Sequence, residues 1–130
     1  MKIFDSYSGW DSKVNFSDNN NLVVGYDTYQ SCCEHADWFI SKTEDNNIEG
    51  KEQPKDGLEE YVFDKQYFVS VEPARNEWGS CLDSGGMVRF KMIADGKPDL
   101  FLHIYNSHNG YYSHGFDFKE GKTIIQSGNI

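Results

Sequence analysis

Between residues 87 and 118 apolar and polar side chains alternate around two strong turns, a pattern that suits antiparallel strands. Val88, Phe90 and Met92 interleave with Met87, Arg89 and Lys91, and Asp95-Gly96-Lys97-Pro98 ends the run in a turn. A second strand is expected over 99–108. Asn109-Gly110 is the strongest hairpin signal in the chain, so 111–118 is expected to return beside it. With those two residues as the loop, His108 lies opposite Tyr111, Ser107 opposite Tyr112, Tyr105 opposite His114 and His103 opposite Phe116. Leu100, Leu102 and Ile104 then share an aliphatic face. The opposite face gathers His103, Tyr105, Tyr112 and His114 with Phe101 and Phe118. It is the expected binding surface, provided no other element packs over it. Gly121-Lys122 turns into a last strand at 123–127.

Upstream, 12–17 (SKVNFS) and 22–27 (LVVGYD) flank Asp18-Asn19-Asn20-Asn21 and read as a second hairpin. Ser31-Cys32-Cys33-Glu34 has the form of a helix capping box, and Cys32/Cys33, Ala36, Phe39 and Ile40 recur at helical spacing. The spacing predicts one helix over about 32–41. Residues 42–60 hold seven acidic and three basic side chains and read as an exposed acidic loop. Residues 61–72, rich in aromatic and β-branched types, predict one or two strands. This order argues an α+β fold, a mostly antiparallel sheet built from hairpins with one main helix packed on it. A length of 130 residues suits a single domain over 1–130. Nine Phe, eight Tyr and three Trp make an aromatic-heavy core the expectation.

A formal net charge of −9 repels phosphate backbones and anionic membranes. It favours a protein partner with a basic contact region over nucleic acid or a membrane. Cys32 and Cys33 are adjacent and Cys81 makes the count odd, which argues reduced thiols. With no apolar stretch of signal-peptide or membrane-spanning length, a cytoplasmic location is expected. The oligomeric state is left open.

Chemistry-bearing patterns are sparse. Cys33, His35, His103 and His114 supply the residue types of a zinc site, but no standard ligand spacing. Cys32 and Cys33 in the first turn of a helix would have lowered thiol pKa values, yet no residue pattern places a base beside either sulfur. Asp83-Ser84-Gly85-Gly86 matches the serine stretch of trypsin-like proteases without any companion motif, and reads as a turn feeding the strand at 87. Asp45-x-Asn47-x-Glu49-Gly50 begins like a calcium loop but reaches Asp56, not Glu, at its twelfth position. No cofactor is expected and no catalytic residue is assigned.

At Tyr26-Asp27, Cys32-Cys33-Glu34 and the run His108-Asn109-Gly110-Tyr111-Tyr112-Ser113-His114-Gly115-Phe116, the chain resembles a family of small uncharacterised proteins from bacteria and their phages. The likeness covers most of the chain and implies no activity. Small size, acidity and many aromatics favour a binding protein that inhibits a macromolecular partner, of phage anti-defence or toxin-immunity type. The alternative is a small hydrolase or zinc-dependent enzyme using the Cys and His set.

Overall fold

A computed structural model describes residues 1–29, 35–44, 51–54, 56–71, 84–108 and 113–130, with Ser84, Gly85 and His108 described by their backbone. The strands are β1 (Lys2–Ser8), β2 (Asp11–Ser17), β3 (Leu22–Asp27), β4 (His35–Ser41), β5 (Val62–Phe63), β6 (Val69–Val71), β7 (Ser84–Ile93), β8 (Leu100–His108), β9 (Gly115–Glu120) and β10 (Thr123–Asn129). They form two antiparallel sheets. The first runs β1-β2-β3-β9-β10 and the second β4-β8-β7-β5, with β6 also paired to β7.

The sheets pack face to face as a sandwich because each strand offers alternate apolar side chains to one side. Phe16, Leu22, Val24, Tyr26, Phe116 and Phe118 from the first sheet meet Trp38, Ile40, Val88, Phe90, Leu102 and Ile104 from the second. Aromatic edges make the junction. The ring centroid of Phe16 lies 5.0 Å from that of Trp38, and Phe118 lies 5.3 Å from Phe90 and 5.6 Å from Phe63. Asp18, in the β2–β3 turn, adds a polar tie. Its Oδ1 accepts the N–H groups of Asn20 and Leu22, and its Oδ2 accepts the N–H of Phe63 in the other sheet at 2.8 Å.

The expected helix is corrected. No helix occurs among the described residues, and the fold is all-β rather than α+β. His35–Ser41 is a strand, its inner side Ala36, Trp38 and Ile40 set into the core while Phe39 is buried on the outer side. A strand buried on both faces puts apolar residues at 36, 38, 39 and 40, which also satisfies a helical template. The capping residues Ser31 to Glu34 lie outside the described residues.

The hairpin expected across Asn109-Gly110 is corrected as well. Both edges of β8 are taken, by β4 and by β7, while β9 pairs with β3 and β10 in the other sheet. The chain crosses between sheets there instead of folding back within one. The hairpin of β2 and β3 forms as read, with Phe16 opposite Val24. Strands also lie within 61–72, 87–93 and 99–108 and over 123–127 as expected. In the 42–60 span the described residues form no named strand, only a bridge from Glu52 to Ile40, and Leu58 is buried in the core. The turn expected at the protease-like stretch is corrected, because its last three residues open a strand. Ser84 already belongs to β7, and a side chain on Gly86 would stand 3.4 Å from the Ile130 backbone.

Candidate functional site

The face division read along β8 is present, with Leu102 and Ile104 in the core and Phe101, His103 and Tyr105 directed to the outer side of the second sheet. That outer side is closed at its centre. His103 is fully buried, Tyr105 is 9% exposed, and Phe39 stacks on the His103 ring at 4.3 Å with an 11° interplanar angle. Arg89, on β7 beside His103, is also buried, and its Nε donates to His103 Nε2 at 3.0 Å. A guanidinium is always protonated, so the accepting Nε2 carries no hydrogen and the imidazole proton sits on Nδ1. Glu44 Oε2 stands 3.8 Å from Arg89 Nη1. Tyr67 lies against both; burial pushes its phenol above the usual range and Arg89 works against that.

His114 is elsewhere. It precedes β9, exchanges both backbone hydrogen bonds with Ile130, and its ring Nδ1 donates to the Asp27 carbonyl at 2.5 Å. Phe116 and Phe118, which the sequence puts on a face with His103, point into the core. His35 is exposed at the start of β4, 3.6 Å from Asp37. It is four positions of register from the residue opposite His103, about 13 Å of strand, too far for both to ligate one ion. Cys33 and Tyr112 lie outside the described residues. Among the described residues, no three His, Cys, Asp or Glu side chains group as metal ligands.

Sequence reasoning misses a different surface. Gly9, at φ 64°, opens the two-residue loop between β1 and β2, so Trp10 stands at a hairpin tip. Trp10 is 90% exposed, Tyr7 just before it 76%, and Tyr29 just beyond β3 56%. The Thr28 N–H bonds to the Ser12 carbonyl, which brings Tyr29 to the same end of the first sheet as the other two. Beside them lies a hollow of about 500 Å³ lined by Ser6, Tyr7, Asp11, Lys13, Asp27 and Asp117, among others. Lys13 pairs with Asp117 at 2.7 Å across the sheet. The available signal is the Gly9-Trp10 dipeptide just before the alternating run at 12–17, but sequence does not distinguish a tip tryptophan from a core one.

These features define an antiparallel two-sheet β-sandwich that gathers exposed aromatic rings and carboxylates at one end. The chain belongs to the family described as a domain of unknown function, DUF7448, whose model matches residues 2–118. No curated protein and no solved structure matches it. Among the described residues no helix is long and apolar enough to cross a membrane.

Proposed function

We propose that this chain is a non-enzymatic binding protein that inhibits a macromolecular partner, with its contact surface at the Tyr7, Trp10 and Tyr29 end of the sandwich. The observation that carries this reading is the Trp10 side chain, left 90% exposed at a hairpin tip between two other exposed aromatics. Tryptophan and tyrosine bury large areas with few rotatable bonds, and they dominate binding energy where they are found in interfaces. A net charge of −9 selects a partner with a basic contact region and disfavours nucleic acid and anionic membranes. Inhibition of the phage anti-defence or toxin-immunity kind suits a small acidic domain of this form. His103 and His114 are buried in structural contacts, so a surface on them requires those contacts to break, whereas the aromatic end requires no rearrangement.

The test is affinity purification with the tagged protein, then titration calorimetry with each recovered partner. Trp10→Ala and Tyr7→Ala are expected to weaken binding by about tenfold to a hundredfold each, roughly 1.4–2.8 kcal/mol, without lowering the melting temperature. Affinity should also fall as salt rises. Binding that ignores both substitutions, or that is indifferent to salt, overturns this reading.

A further inference from the structure

We infer that the hollow beside the aromatic end receives an arginine side chain from a protein partner. This rests on the binding function proposed above and assigns the chemistry that the hollow recognises. At about 500 Å³ it lies within the range of small-molecule sites, roughly 300–1,000 Å³, and has room for a guanidinium with its stem. The space exists partly because Gly115 lines it. A Cβ there would meet nothing nearer than Asn129 Oδ1 at 3.8 Å, so any larger side chain at 115 would stand in the hollow.

Charge chooses the occupant. Three carboxylates line the hollow against one ammonium, and that ammonium, on Lys13, is engaged with Asp117. Asp11 and Asp27 make no ion pair among the described residues. Asp27 is also held in position. Its Oδ1 accepts the Tyr29 N–H at 2.9 Å and its carbonyl accepts from the buried His114 ring, which leaves Oδ2 for an incoming donor. A planar cation that presents paired N–H donors to carboxylates fits this lining better than a compact ammonium does.

The experiment is an amide-resolved NMR titration of the full chain with N-acetyl-arginine amide. N-acetyl-citrulline amide, which has the same shape without the charge, and maltotriose, a neutral sugar, serve as comparison probes. Saturable shifts at Ser6, Ser12, Asp27 and Gly115 are expected with the arginine probe, with a dissociation constant on the order of 10 mM. The citrulline probe should bind at least about tenfold more weakly, and added salt should weaken the arginine response. Gly115→Val, which occludes the hollow, should abolish the response. Asp11→Asn with Asp27→Asn, which keeps shape and hydrogen bonding, should reduce it about tenfold and stands in should Gly115→Val not fold. Absence of saturation, equal binding of citrulline, or saturation by maltotriose alone overturns the inference, the last in favour of a glycan site. A partner that senses Trp10→Ala while the arginine titration is blank sinks the hollow and keeps the binding function. Saturation by arginine while no partner senses Trp10→Ala does the reverse.

Discussion

Arg89 Nε donates to His103 Nε2 at 3.0 Å, and both side chains are buried on the side of the second sheet that faces away from the sandwich core. The sheet is therefore covered on both faces around this pair. Its inner face is aliphatic and aromatic, while its outer face holds a charged group whose hydrogen bonding must be met within the protein. Phe39, Met87 and Tyr105 form the apolar surround of that group. A ring of this kind explains why histidine occupies position 103. It offers a flat surface to Phe39 and a lone pair to Arg89 at once.

His103→Ala should cost about 2–4 kcal/mol in urea unfolding, because it removes the stacked ring and leaves a buried guanidinium short of an acceptor. His103→Gln, whose amide oxygen can still accept from Arg89, should recover part of the loss. Long-range nitrogen–proton correlation on the imidazole should give the tautomer protonated on Nδ1. A ring protonated on Nε2 contradicts the geometry.

Asp18 is the second polar tie, and its three accepted N–H groups come from both sheets. Asp18→Ala should lower stability by about 2–4 kcal/mol, since hydrogen bonds to a charged acceptor are individually worth roughly 1.5–3 kcal/mol and are partly replaced by water here. Hydrogen exchange should speed up at Leu22 and at Phe63 together. Acceleration at Leu22 alone would mean that the link between sheets contributes nothing.

Side-chain alternation is a local property, so the two faces of β8 were legible in the sequence: Leu102 and Ile104 on one, His103 and Tyr105 on the other. Pairing is not local. Asn109-Gly110 signals a change of direction, but no residue nearby says whether the next strand joins the same sheet or the facing one. Burial of Phe39 opposite Trp38 blurred the period of β4 and let a helical template fit. The edge strand β1 has little apolar periodicity to detect, because most of its residues are exposed. For the same reason the surface at Tyr7, Trp10 and Tyr29 stayed hidden: in a chain this rich in aromatics, only the fold tells which rings the core leaves outside.

Tyr26 makes the pH dependence of stability testable. It is 2% exposed, and burial, helped by the Asp37 carboxylate, raises its phenol well above the ordinary value of 10.0. The unfolded chain therefore loses this proton first as the solution becomes alkaline. The stabilising contribution is intact below 10.0 and declines as pH climbs from there toward the higher folded value. One proton is worth up to about 1.4 kcal/mol per pH unit in that window. Tyr67, also raised by burial, adds to the same decline, so replacing Tyr26 removes only part of it. Chemical unfolding of the parent and of Tyr26→Phe, followed from neutral pH into the alkaline range, should show the parent losing stability more steeply above 10.0. The two curves should run parallel below it. Equal slopes in the alkaline range would show that the Tyr26 hydroxyl is free to ionise in the folded protein, and that the first sheet does not seal it from water.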